Sequence, residues 1–316
     1  MFAESGRLRR PDSACLAWHH APARGIAHGI LLICHGLAEH SRRYATFAVR
    51  MSASGLHVYA HDQRGHGETI GPDATSGRFA TRGGAQAVVD DVLAMRDMAL
   101  SRYPRLPVLL FGHAMGGLVA MNAAQSEPGA FAGAAVWSTN FRPGMDAKAA
   151  RAILKLEKML KGSDVPSDML PRLTFQTWGQ AVPGAQTPFD WLSRNADAVA
   201  AYIGDPLCGF DASVSLWLDI LTLMDRGLEQ IASTRLRRDF PFHLAAGGDD
   251  PATRQGSDTV WLANHLKKQG YSNISCHIHS GMRHEIWNET GSGNALSEFA
   301  DWCGHVCEPR GGRAES

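Results

Sequence analysis

The sequence predicts an α/β fold, a mostly parallel central sheet with helices on both faces and an inserted helical cap. Three observations predict it. Short runs of apolar, β-branched residues alternate with longer stretches of helical spacing, the loops between them span a few residues, and the alternation breaks once, in the middle of the chain.

Ile30–Cys34, Leu56–Ala60, Val108–Phe111, Ala134–Trp137, Phe242–Ala246 and Ile274–Ile278 each read as a short, fully buried strand. Tyr44–Ser54, Gly84–Tyr103, Gly116–Ser126, Ser257–Gln269 and Asn294–Val306 carry apolar residues at helical spacing. From Phe141 to Arg237 the pattern changes to a charged helix (AKAARAILKLEKMLKG), several prolines and three of the eight tryptophans, Trp178, Trp191 and Trp217. The expected division is therefore a core over 1–140, a helical cap over 141–237, the rest of the core over 238–308 and a polar, Gly-rich disordered tail over 309–316.

Composition agrees with a soluble globular chain. Its 316 residues are 44% hydrophobic and 20% charged, and 31 basic residues balance 31 acidic ones. At roughly 150 residues per domain this length admits two domains, or one α/β domain carrying an insertion. Zero formal net charge provides no basic field for a nucleic acid backbone or an anionic lipid surface. No apolar run reaches the 18 or so residues of a membrane span, and the N-terminus lacks the apolar segment of a secretory signal. Six cysteines are too few for a disulfide-built scaffold, so a reduced, cytoplasmic setting is expected.

Four segments carry chemistry. In PVLLFGHAMGGL a buried strand runs into Gly112-His113-Ala114-Met115-Gly116 and then a helix. This is the G-x-S-x-G nucleophile elbow with alanine in place of serine; a Cβ at either outer glycine would collide with neighbouring backbone. Ala114 has no nucleophile and cannot form an acyl-enzyme. The His35-Gly36 turn after an earlier strand can aim a backbone N–H over the elbow, making the N–H groups of Leu37 and Met115 the candidate oxyanion donors. AGGDDP offers two carboxylates, Asp249 and Asp250, at a strand end, and SGMRHEIWNE presents His284. A histidine base needs a carboxylate to hold its ring, and the order elbow, acid, histidine is that of α/β-hydrolases.

HGLAEHSRRY, HDQRGHGET, GHAMGG, the GGDDP loop and RHEIWNE, in that order, resemble the monoacylglycerol lipase and bacterial lysophospholipase group of α/β-hydrolases, over residues 15 to 305. The resemblance implies hydrolysis of a lipophilic carboxylic ester without a cofactor. It assigns the nucleophile to position 114, the base to His284 and the acid to Asp250, with Asp249 second, and it makes Asp62–Gly67 a structural loop. Two explanations of Ala114 compete: an engineered Ser→Ala change that traps substrate, or a natural pseudoenzyme that binds ligand. Because a triad works as a unit, the intact acid, base and oxyanion set favours the first. A hydrolase of amides or lactones would use the same residues. Epoxide hydrolases and haloalkane dehalogenases need a carboxylate at position 114 and are set aside.

Other residues receive structural readings. His113 packs behind the elbow. His277 and His279 share one strand face without further ligands, so they read as a packed or solvated pair and not as a metal site. Cys303, Cys307 and His305 lie on a helical pattern and read as reduced structural residues. Asp90-Asp91 and Glu157/Lys158 read as solvated helix surface. The apolar residues of the cap read as pocket lining, cap core or both.

Overall fold

The computed structural model describes residues 1–142 and 145–308, so the tail expected over 309–316 lies outside the described residues. An eight-stranded sheet runs β1(Glu4–Arg9)-β2(Cys15–Ala21)-β4(Leu56–His61)-β3(Gly29–Cys34)-β5(Val108–His113)-β6(Gly133–Trp137)-β7(Phe242–Gly247)-β8(Ile274–His279). From β4 to β8 every pairing is parallel; β1 and β2 are antiparallel to each other, and β2 is antiparallel to β4.

The central strands are apolar throughout because both faces are covered. Ile30, Leu32 and Cys34 of β3 point to one face with Val108 and Leu110 of β5; Leu31 and Ile33 point to the other with Leu109 and Phe111. The first face packs under α2(Gly84–Arg102), α3(Met115–Ser126) and α8(Ser257–Lys268), the second under α1(Ala45–Ala53) and α9(Gly293–Cys307).

Between β6 and β7 the chain forms α4(Met145–Lys161), a π-turn over Arg172–Gln176, α5(Thr177–Gln180), α6(Ala196–Gly204) and α7(Val214–Ser233). Asn195 caps α6 and Ser213 caps α7 through their side-chain oxygens. The last of these helices is docked on the core: Asn122 Nδ2 donates to Leu223 O at 2.8 Å and Gln125 Nε2 to Gly227 O at 3.0 Å, both from α3.

Three expectations need correction, and one element was not foreseen. The strand over Ile274–Ile278 is not fully buried; as the sheet's edge it alternates between half-buried and exposed residues. A hairpin, β1 and β2, precedes the first expected strand. Asp91 is buried, not solvated: Arg10 Nε (2.9 Å) and Arg64 Nε and Nη2 (2.7 and 2.9 Å) donate to its carboxylate, which offsets its desolvation. Glu157 is buried as well, accepting from Ser167 Oγ at 2.6 Å and Asp168 N at 2.9 Å, whereas Lys158 is exposed.

All six cysteines are free. Cys303 and Cys307 face the core while His305 is exposed on the opposite side of α9. His277 and His279 stack on one face of β8, rings 6.2 Å apart. Among the described residues no helix is long and apolar enough to cross a membrane.

Candidate active site

At the end of β5 the chain turns sharply into α3 through Ala114, whose φ of 49° and ψ of −117° hold a non-glycine residue in strained geometry. Neighbours fix the turn from both sides. Ala114 N donates to Trp137 O at 3.0 Å, and Thr139 Oγ1 donates to Ala114 O at 3.0 Å. The flanking glycines are required by close approach: a Cβ on Gly112 would stand 2.3 Å from Gly116 O, and one on Gly116 would stand 2.0 Å from Cys34 O. Residue 114 is thereby presented to a cavity of about 770 Å³, counting its open mouth. Leu37, Met115 and His284 line the same cavity, as do Trp178 and Trp191 from the segment between β6 and β7.

The acid and the histidine come from neighbouring strand ends, after β7 and β8. Asp250, fully buried, lies with Oδ2 3.0 Å from His284 Nδ1. Ala252 N and Thr253 Oγ1 each donate to the Asp250 carboxylate at 2.9 Å, which orients it. Asp249, one residue earlier, is exposed. The structure thus brings together positions 114, 250 and 284 and leaves Asp249 outside.

The loop bearing His284 is held by its backbone. Ser138 Oγ donates to His284 O at 2.8 Å, and His113 Nε2 lies 3.2 Å from the same oxygen. His113 is buried behind the elbow, as its position suggests, and it also braces the histidine loop. Burial lowers the basicity of His113. Burial acts the same way on His284, but the charge and hydrogen bond of Asp250 outweigh it and raise the His284 pKa above the usual 6.5. Of two imidazoles only 4.6 Å apart, His284 is therefore the stronger base.

On the oxyanion side, Leu37 lies in the loop after β3 and its N–H has no protein acceptor among the described residues. Met115 opens α3, where helix geometry leaves the first N–H groups without intrahelical partners. Gly36 N donates to Glu39 Oε1 at 2.5 Å, and Tyr44 Oη donates to the same oxygen at 2.8 Å. Arg43 bridges Glu39 and Glu285, with Nη1 2.5 Å from an oxygen of each. Burial disfavours the Glu39 carboxylate, yet Arg43 and His113 hold it well below the usual range. Asp62, at the start of the Asp62–Gly67 loop, accepts from Ser41 N at 2.8 Å and Glu68 N at 2.8 Å, which ties that loop to the segments beside it.

Sequence reasoning did not single out Glu39, Arg43 and Glu285 as a bracing network, nor Trp178 and Trp191 as the rings beside His284, 6.4 and 4.9 Å from its centroid. The i, i+4 spacing of Glu39 and Arg43 was the one local signal for the first.

Comparisons with known proteins identify the family and the fold. The Hydrolase_4 family model, described as "Serine aminopeptidase, S33", matches residues 25–291. Human monoglyceride lipase is 30% identical over 250 residues, covering 79% of this chain and 74% of its own. A thermostable carboxyl esterase from Bacillus coagulans, solved in complex with glycerol, superposes with a TM-score of 0.87 at 23% identity, covering 97% of this chain and 99% of its own. A soluble variant of Saccharomyces cerevisiae monoglyceride lipase superposes at 0.76 with 16% identity, covering 97% of this chain and 96% of its own. An elbow, a buried acid–histidine pair and this similarity along most of the chain make it a monoglyceride lipase-like α/β-hydrolase, a member of the Hydrolase_4 family.

Proposed function

We propose that the chain, with serine at position 114, is a serine carboxylic-ester hydrolase acting on a lipophilic monoester through an acyl-enzyme, and that the Ala114 form binds such an ester without turning it over. Its lipase and esterase relatives place the chain among carboxylic-ester hydrolases. The observation that carries the residue assignment is the buried Asp250–His284 pair, whose His284 lines the same cavity as residue 114.

In this reading the serine Oγ attacks the ester carbonyl while His284 takes its proton. Asp250 holds the ring in one tautomer and stabilises its charged form. The N–H groups of Leu37 and Met115 receive the developing oxyanion, each contributing on the order of 3 kcal/mol. His284 then protonates the leaving alcohol, and water repeats the sequence to release the acid. Phe175, Trp178, Trp191 and Trp217 give the cavity an apolar wall that excludes water and suits an acyl or alkyl group. No step requires a cofactor. The division into core and cap over 141–237 is part of the same proposal.

The test is to restore the nucleophile. Ala114→Ser should hydrolyse short- and medium-chain p-nitrophenyl esters and react with a fluorophosphonate probe, whereas the Ala114 protein should do neither. A folded Ala114→Ser protein inert to both would remove the mechanism.

A further inference from the structure

Outside the catalytic cavity, one cluster of side chains carries ligating chemistry that the hydrolase reading does not use. His40, in the loop after β3, meets Asp205 and Cys208 from the turn after α6; one ligating atom from each lies within 4.8 Å of the others. His40 is buried, its Nε2 2.8 Å from Asp205 Oδ2, and its Nδ1 is buried with no hydrogen-bond partner. Nε2, the ring nitrogen that faces Asp205, is the atom an ion among these three side chains would meet.

The turn is preorganised for this meeting. Asp205 Oδ1 accepts from Leu207 N at 2.9 Å, leaving Oδ2 toward His40, and Cys208 N donates to Asp205 O at 3.0 Å. The two segments are tied alongside: Gly209 N donates to Ala38 O at 2.9 Å and Tyr202 Oη to the same oxygen at 3.1 Å. The nearby Arg43 guanidinium would oppose a cation, but Glu39 and Glu285 both pair with it.

We propose that His40, Asp205 and Cys208 form a binding site for a borderline-soft divalent cation, Zn²⁺ by the chemistry of an imidazole, a carboxylate and a thiolate. That donor set, with a fourth position left to water, suits a tetrahedral d¹⁰ ion better than Mg²⁺ or Ca²⁺, which take oxygen ligands. Burial keeps the Cys208 thiol protonated at neutral pH, so binding exchanges the S–H bond for an S–metal bond and releases that proton to solvent. Because His40 follows Leu37 by three positions, a bound ion fastens the loop of a proposed oxyanion donor to the cap. The inference does not depend on ester hydrolysis.

Co²⁺ is the optical probe. Added to the full-length protein under a non-chelating reductant, it should saturate at one equivalent, show a thiolate-to-cobalt charge-transfer band with intense tetrahedral d–d bands, and be displaced by Zn²⁺. Cys208→Ser should abolish the charge-transfer band. His40→Asn and Asp205→Asn should each weaken binding by about tenfold or more while circular dichroism stays unchanged. Cys276→Ser, which removes the exposed thiol on β8, should change nothing. Absence of saturable Co²⁺ and Zn²⁺ binding, or a charge-transfer band that survives Cys208→Ser or disappears with Cys276→Ser, would overturn the assignment. The asparagine variants separate ligation from folding, since Asp205→Asn is isosteric and His40→Asn keeps a polar amide in place of the ring while circular dichroism reports the fold.

Discussion

Oδ2 of Asp250 sits 3.0 Å from Nδ1 of His284, across 34 residues of sequence, with the acid fully buried and the histidine nearly so. That contact raises the His284 pKa above 6.5 despite burial. A base must be neutral to accept a proton, so in Ala114→Ser the acid limb of kcat/KM should lie above about 6.5. Asp250→Asn should move that limb down and lower kcat by on the order of 10³–10⁴. Asp249→Asn should leave both nearly unchanged, and a pH–rate series on the three proteins decides.

The stability consequence of the same contact has the opposite slope. His284 is easier to protonate folded than unfolded, so its contribution is complete below about 6.5 and fades as pH rises through the raised folded value. His61, His66 and His243 behave the other way, since burial depresses each to about 3. Unfolding lets these three bind protons from about pH 6.5 downward, so the unfolding free energy from urea titrations should fall steeply with acidification, by up to about 4 kcal/mol per pH unit near pH 5. Equilibrium unfolding across that interval measures it; a flat profile would contradict the burial of these rings.

At the elbow, Gly116→Ala places a methyl group 2.0 Å from the Cys34 carbonyl oxygen, which is backbone and cannot swing aside. The expected cost is about 3 kcal/mol or more, seen as a large loss of thermal midpoint or of soluble yield. Gly304→Ala, where a Cβ meets nothing within 4 Å, is the matched control and should be neutral or slightly stabilising.

Truncating Asp91 leaves Arg64, itself 3% exposed, without its main partner. Asp91→Ala should destabilise by about 3–5 kcal/mol in urea unfolding. Asp90→Ala should cost far less, since Asp90 is only half-buried.

Five of the six expected strands, and the five flanking helices, were legible because strands covered on both faces must be apolar along their whole length; the sixth, β8, is a half-exposed edge. The terminal hairpin was not: β1, Glu-Ser-Gly-Arg-Leu-Arg, alternates half-buried with exposed residues at a sheet edge and offers no apolar run. Positions 114, 250 and 284 were readable from glycine spacing and loop order, but choosing Asp250 over Asp249 took a family resemblance. Asp91 misled for a plain reason. Its partners Arg10 and Arg64 lie 81 and 27 residues away, so helix periodicity alone marks it as surface. The Glu39–Arg43–Glu285 bridge spans 242 residues and was invisible for the same cause.

The grip of Asn122 and Gln125 on α7 bears on how such proteins can be recombined. A methyl on Gly227 would reach within 2.8 Å of Phe141 and within 3.3 Å of Asn122 on the elbow helix, so that helix is fitted to the elbow helix's back as closely as a native core segment. Chimeras that exchange specificity-bearing segments between relatives should therefore cut before Ser213 and retain residues 214–233 with the recipient scaffold.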